Sequence, residues 1–421
     1  MTVATTIFIP TLKSITDAAN RVKKVAIKTP FMRSFTYSTK FEAEVFLKRE
    51  DLQQVRSYKI RGAYNKISTL TDKQKEVGIV CASAGNHAQG VALSCSRLSI
   101  HGTIFMPTTT PNQKVEQVEM FGGDWITVVL EGDTFDDAFA RASDVCTTEG
   151  KTFVHPFDDE KIIEGQATVG LEILTQSEQP LDYVFVPVGG GGLIAGLSSV
   201  FHHLSPKTKI IGVEPAGAPA MLNSLSKKEN TTLDEIDKFV DGAAVQRVGD
   251  RNFAIVQQFV DRVVTVSEGK ICQTILDLYN RDAIVAEPAG AMTLAVLDQF
   301  AEEIKGKNIA CIVSGSNNDI TRTAEIKERA LLHQGLKHYF IVKFPQRAGA
   351  LKEFVAEILG PTDDITYFEY SKKTSREQGP AIVGLEIKSS KDLQPLLDRM
   401  RARKFYGEYL NDKPELFQLL V

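Results

Sequence analysis

Lys59 stands in VRSYKIRGAY, residues 55–64, between a tyrosine and an isoleucine, with Ser57 before it and Arg61 and Gly62 after it. A lysine among neighbours that prefer burial loses part of its charge, because desolvation disfavours the ammonium, and a neutral amine is a nucleophile. Arg61 adds to that effect if it points the same way. The plain alternative is a lysine that snorkels out of a half-buried strand-to-helix turn. The rest of the chain decides between them.

VPVGGGGLIAGLSS (186–199) places four glycines, Gly189, Gly190, Gly191 and Gly192, ahead of Leu193. Four glycines forfeit backbone entropy, so the chain approaches something closely there, and a phosphate cradled at a helix N-terminus accounts for it. No Gly-Lys-Ser/Thr follows, which excludes a Walker loop. The run also holds G-x-G-x-x-A from Gly190 through Gly192 to Ala195. Glu214 ends the next strand, KIIGVEP, so a nicotinamide dinucleotide is a rival ligand.

VCASAGNHAQGVAL (80–93) ends a strand in Ser83, Ala84 and Gly85 and begins a helix at or near Asn86, with His87 next. Small residues there leave backbone N–H groups open to a carboxylate, or else Asn86 is a plain cap. CIVSGSNND (311–319) is a third strand end of small residues, with Ser314 and Ser316 as neutral donors. In EPAGA (287–291), Pro288 opens a helix, and Glu287 is either a first-turn charge or a site residue. A nucleophilic lysine, a phosphate cradle and an anion-binding strand end together fit pyridoxal 5′-phosphate. That cofactor needs a Schiff-base lysine, a phosphate site and a partner for its pyridine nitrogen. A dinucleotide leaves Lys59 and the 83–87 loop without a use.

The elements around these loops alternate. GIVCAS, GTIFMP, DWITVVL, DYVFVPVG, KIIGVEP, RVVTVS and NIACIVSG are short β-branched runs bounded by Gly or Pro. Helix-period stretches at 133–149, 160–176, 267–280 and 319–334 follow or separate them. This alternation predicts βαβ units in an α/β fold with mainly parallel sheets, whose ligands sit at the carboxyl ends of the strands. Near residue 335 the style changes. LKHYFIVKFPQRAGALKEFVAEIL reads strand, turn, helix, AIVGLEIKSS strand, and KDLQPLLDRMRARKF helix. PELFQLLV is expected to add a last strand, and TSREQGP (374–380) a polar loop. The expected division is a catalytic domain over 1–330, a linker over 331–336 and a compact α+β domain over 337–421.

Composition narrows the class. The 421 residues suit two or three domains, and 43% apolar with 24% charged residues is ordinary for a globular protein. A net charge of −4 without a Lys/Arg block gives no case for nucleic acid. Five scattered cysteines, never in C-x-x-C, point to a reducing compartment and away from zinc or disulfides. No apolar run reaches the ~18 residues of a membrane span, and no secretory signal opens the chain. The expected location is cytoplasmic, without membrane.

In their order and spacing, SYKIRGA, SAGNHAQG, GGGGL and SGSNND resemble the fold type II pyridoxal-phosphate enzymes. Within these they resemble the biosynthetic threonine dehydratases, or threonine ammonia-lyases. The resemblance spans essentially the whole chain. It implies two open, mainly parallel α/β subdomains, tryptophan synthase β-like, followed by one ACT-like regulatory domain, in which FPQRAGALKEF carries the likeness. It implies that Lys59 forms the Schiff base, that Asn86 bonds the 3-hydroxyl, and that backbone N–H groups of Gly189 to Leu193 hold the phosphate. Ser314 would face the pyridine nitrogen, and Ser83, Ala84, Gly85, Asn86 and His87 would take the substrate carboxylate. A hydroxyl partner holds a pyridine less strongly protonated than an aspartate would, which suits elimination.

The implied reaction turns L-threonine into 2-oxobutanoate and ammonia, opening isoleucine biosynthesis, with Lys59 as general base. Isoleucine or valine is the implied effector, and a homo-oligomer, tetramer or dimer, the implied assembly. Racemases of this type carry a serine where Ala84 stands, and a second acid after the glutamate where Ala218 and Ala220 stand. Neither racemase activity nor a divalent metal is therefore expected, while a monovalent cation stays open. The alternatives are an L-serine dehydratase, a nicotinamide-dependent oxidoreductase, and an amino-acid sensor without catalysis.

Overall fold

The computed structural model describes residues 7–370, 378–413 and 416–417, and the chain divides after Asp319 into two units. In the first, strands β1 (Phe31–Arg33) and β2 (Glu44–Arg49) begin a six-stranded sheet. The chain then leaves to build a parallel four-stranded sheet from β3 (Ile79–Ala82), β4 (Gly102–Met106), β5 (Ile126–Leu130) and β6 (Thr152–Phe153). Their order is β5-β4-β3-β6. It returns with β7 (Tyr183–Pro187), β8 (Lys209–Pro215), β9 (Arg262–Val266) and β10 (Asn308–Val313). The large sheet reads β1-β2-β10-β7-β8-β9, with β1 antiparallel to β2 and the other pairs parallel.

These strands form because they are apolar on both faces. All of β7 and nearly all of β8 and β10 are buried, as helix-covered parallel strands must be. The core of the large sheet gathers Val184, Val186, Ile194, Leu197, Ile210 and Ile312, and that of the small sheet Ile79, Val91, Ile104 and Ile162. Strand order reverses between β7 and β10, which makes the crevice beyond their carboxyl ends the expected ligand site.

Helix Glu160–Gln176 fixes two others. The Asp159 carboxylate caps it, accepting from the backbone N–H of Lys161 and Ile162. A Cβ at Gly165 would meet Arg61 O at 2.6 Å, so this helix lies backbone to backbone against Lys59–Ser68. It also packs on helix Gly192–Leu204. The helix that starts at Lys59 and the helix that starts at the glycine loop therefore share one support.

The second unit is an antiparallel four-stranded sheet built from β11 (Lys337–Pro345), β12 (Asp364–Tyr370), β13 (Gln378–Glu386) and β14 (Tyr406–Tyr409). Its order is β12-β13-β11-β14, and helices Ala350–Glu357 and Leu393–Ala402 pack on it. Three expectations need correction. The division falls after Asp319, not after residue 330, because helix Thr323–His333 belongs here. Its Glu328 accepts from Tyr339 Oη at 2.5 Å and pairs with Lys337 at 3.2 Å. Among the described residues the last strand is Tyr406–Tyr409; of the strand expected over PELFQLLV, Leu416 and Phe417 are helical and the other residues lie outside the described ones. Of the expected 374–380 loop, residues 378–380 already pair with Lys343–Pro345 on β11, and 374–377 lie outside the described residues.

Candidate active site

Lys59 is the first residue of helix Lys59–Ser68. A cation at that end opposes the helix dipole, and burial pulls the amine down to about 8 against the opposing pull of Glu287. The amine donates to Pro156 O at 2.9 Å. Arg61 does not point the same way, so the condition for its adding to that effect is not met. Its guanidinium turns away into a buried network, with both ends on Glu50 at 2.8 Å and on Glu172 at 2.8 and 2.9 Å. Glu172 also takes Lys48 Nζ at 2.6 Å, so two cations and two carboxylates neutralise one another behind the helix. Arg61→Lys keeps the charge but loses the forked geometry. It is expected to lower the unfolding free energy of the full chain by about 2 kcal/mol in urea denaturation, and an unchanged midpoint would refute that role.

The glycine loop runs from the end of β7 into helix Gly192–Leu204, whose first N–H groups have no carbonyl of their own helix to bond. Gly191 has φ +90°, a conformation that suits glycine. A Cβ at Gly190 would lie 2.2 Å from the Phe157 ring, and one at Gly189 2.9 Å from Ala243 Cα. The loop is held so tightly that side chains are excluded on its protein side, and its free N–H groups make a nest for a phosphate. The residues present fit pyridoxal 5′-phosphate: an amine of lowered pKa, an anion nest and a neutral hydroxyl at neighbouring strand ends.

The 83–87 segment leaves β3. Gly85, not Asn86, caps helix Asn86–Leu98, and no side chain helps it. The Asn86 amide is used elsewhere: Nδ2 donates to Glu287 Oε1 at 2.7 Å, and Oδ1 accepts from Asn317 Nδ2. One hydrogen and one lone pair of that amide remain for a ligand. A Cβ at Gly85 would meet nothing within 4 Å, so the segment has room beside it. Ser83 Oγ accepts from Gly85 N at 3.3 Å. His87 is buried, bonds Val154 O at 2.9 Å, and is pushed down to about 3 by burial first and then by Lys59, so it is neutral.

One cavity is lined by Tyr58, Lys59, Asn86, Gly189, Glu287 and Ser314, among others. It joins Lys59, Asn86, the first glycine and Ser314, residues from four separate stretches of the sequence. Gly190, Gly191, Gly192 and Leu193 follow on the same loop, and Ser83, Ala84 and His87 flank Asn86 without lining the cavity. Ser316 instead donates to Asp51 O at 3.1 Å. Glu287 was readable only as one of two possibilities. It is buried, caps helix Pro288–Ala295 by position, accepts from Asn86 and from Asn317 N, and is pushed up to about 7 by burial and then by Asp241. Lys114, on helix Asn112–Gly122 beside the small sheet, meets Asp241, next to the cavity-lining Gly242, at 2.8 Å. No local pattern announces that pair or the Pro156 carbonyl, and Asn317 stands in the SGSNND stretch without a role read for it.

Glu214 removes the dinucleotide reading. Its carboxylate is buried at the end of β8 and accepts from the backbone N–H of Met221 and Leu222 at 2.7 and 2.9 Å, so it is not offered to a ribose.

Comparison with known proteins agrees with the cavity. A family model described as "Pyridoxal-phosphate dependent enzyme" matches residues 22–315. A second, the "C-terminal regulatory domain of Threonine dehydratase", matches residues 328–420. The chain is 53% identical over 410 residues to the biosynthetic L-threonine dehydratase IlvA of Halalkalibacterium halodurans, covering 97% of this chain and 99% of that one. It is 52% identical to the protein of that name from Bacillus subtilis, covering 97% of each. Among solved structures it is similar to the processed form of threonine deaminase isoform 2 from Solanum lycopersicum, with a TM-score of 0.73 and 41% identity. That likeness covers 76% of this chain and 88% of the other. Maize serine racemase follows at a TM-score of 0.71 and 30% identity, covering 77% and 99%. The fold, the cavity and these likenesses along both units agree: the chain belongs to the biosynthetic L-threonine dehydratase family of pyridoxal-phosphate dependent enzymes.

Proposed function

We propose that this chain deaminates L-threonine to 2-oxobutanoate and ammonia with pyridoxal 5′-phosphate, as the entry step to isoleucine. The observation that carries the reading is the cavity that unites Lys59, Asn86, the glycine loop and Ser314. The bound cofactor supplies an electron sink for the pair left on Cα. Every other task falls to the chain. The Lys59 amine, lowered to about 8, would hold the cofactor covalently; when the threonine amine takes its place, the freed Lys59 amine serves as the base that takes the Cα proton. The N–H groups from Gly189 to Leu193 bind the phosphate, and Ser314 meets the ring nitrogen with a neutral hydroxyl. Ser83 to His87 bind the substrate carboxylate at the start of helix Asn86–Leu98. The β-hydroxyl leaves with a proton returned by Lys59, which balances the proton taken from Cα.

The second unit would bind isoleucine or valine and weaken threonine binding. The candidate loop is Arg347-Ala348-Gly349, where Gly349 has φ +85° ahead of helix Ala350–Glu357 and Arg347 pairs with Glu353. Its N–H groups suit a carboxylate. A cytoplasmic homo-oligomer, dimer or tetramer, completes the proposal; among the described residues no helix is long and apolar enough to cross a membrane.

The test is one assay with two readouts. Purified chain with threonine should release 2-oxobutanoate and ammonia in equal amounts, and millimolar isoleucine should shift half-saturation by about 5–150-fold. Absence of product sinks the activity. Superimposable curves with and without isoleucine or valine sink the effector.

A further inference from the structure

A phosphate nest works only if its N–H groups point inward, and a run of glycines is poorly suited to keeping them there. The peptide between two glycines can rotate at little steric cost, since neither residue has a Cβ to resist. One rotation of the 190–191 peptide would exchange a donor for an acceptor. A planar trans peptide also sets its C=O and N–H on opposite sides. Whatever holds Gly190 O on one side therefore aims Gly191 N–H to the other.

That carbonyl is held. Asn252, in the first turn of helix Asp250–Phe259 and with no exposed surface, donates Nδ2–H to Gly190 O at 2.7 Å. Gly249 N–H donates to the same oxygen at 3.1 Å. The amide orientation is fixed by its neighbours, because Nδ2 also reaches Phe157 O at 3.2 Å and only nitrogen can donate to two carbonyls. Asn252 Oδ1 is left buried without a partner, a costly arrangement for a residue that merely fills space.

The residue's surroundings tie it to the lysine as well. Phe157 follows Pro156, whose carbonyl receives Lys59 Nζ. The backbone N–H groups of Phe157 and Asp158 both donate to His155 Nδ1, at 3.2 and 2.8 Å, and Asp158 takes the N–H groups of Asp250 and Arg251 at 3.1 Å each. The start of helix Asp250–Phe259 thus grips the glycine loop and the 155–158 turn together.

We propose that Asn252 is a positioning residue for the cofactor phosphate, locking the 190–191 peptide against rotation so that Gly191 N–H stays directed into the nest. This rests on the glycine loop being the phosphate site. The diagnostic variants are Asn252→Leu, close in size without a donor, and Asn252→Asp, the same shape with the hydrogen-bond polarity reversed. The holoenzymes are compared by the ³¹P resonance of the bound phosphate and by the rate of chromophore loss on dilution into inorganic phosphate.

Asn252→Leu should lose cofactor about tenfold faster, the scale of one hydrogen bond to the loop, and shift the ³¹P line. Asn252→Asp should lose it quickly at high pH and recover toward wild type as the pH falls, because the protonated acid regains a donor. A cavity or a loosened helix would show no such recovery, and this variant carries the test if Asn252→Leu does not fold. Wild-type release and an unmoved ³¹P line in folded Asn252→Leu overturn the proposal, as does a pH course in Asn252→Asp parallel to wild type. A wild-type protein with neither chromophore nor ³¹P resonance would instead overturn the reading of the loop itself.

Discussion

Lys59→Ala is expected to reduce ammonia release from threonine by about 10³-fold or more, the scale of a positioned general base together with the covalent attachment it provides. Fold should survive, since the amine makes one hydrogen bond, to Pro156 O, and belongs to none of the buried ion pairs. Steady-state kinetics beside a thermal unfolding curve decide it: a folded variant keeping a tenth of wild-type turnover removes Lys59 as the base. The lowered pKa adds a pH signature. Below about 8 the amine takes up its proton and stops acting as a nucleophile, so covalent capture of cofactor should weaken there, well below the ordinary lysine range.

Ser314→Asp is expected to cost about 10²-fold in kcat for threonine, the range found when one preorganised polar partner is altered. Ser314 is buried and leaves the strand beside the glycine loop's strand. On the placement proposed for Ser314, an aspartate there would hold a proton on a ring nitrogen that a hydroxyl leaves neutral, changing the fate of the Cα electron pair. It would also set a second acid in the cavity of Glu287, whose carboxyl is already pushed up to about 7. Unchanged elimination kinetics would take Ser314 out of the site.

Much of this was legible along the chain. KIIGVEP is β8 to the residue, and the helix expected over 160–176 is Glu160–Gln176, because buried parallel strands and long capped helices leave strong local patterns. β1, three residues long, leaves none. Helix Thr323–His333 carried the right period but no sign of which unit it joins, since that depends on Tyr339 and Lys337 across a loop. In the site, Lys59, Gly189, Asn86 and Ser314 were marked by small or misplaced residue types at strand ends. The direction of Arg61 stayed open because its partners Glu50 and Glu172 lie 11 and 111 positions away. Asn252, an unremarkable polar residue in a helical run, could be found only from its neighbours in space.

The Lys114–Asp241 pair has a bearing on how the site responds to salt. The pair lies outside the cavity that Lys59 lines and is partly solvated, with side chains 27% and 44% exposed. A pair so placed is worth about 0–1 kcal/mol, little more than thermal energy, and salt screens it further. Raising the ionic strength should therefore weaken this outer pair at little cost to the fold. The deeper contact, Asn86 Nδ2 to Glu287 Oε1 at 2.7 Å, is partly buried and is screened less, so salt should separate the two.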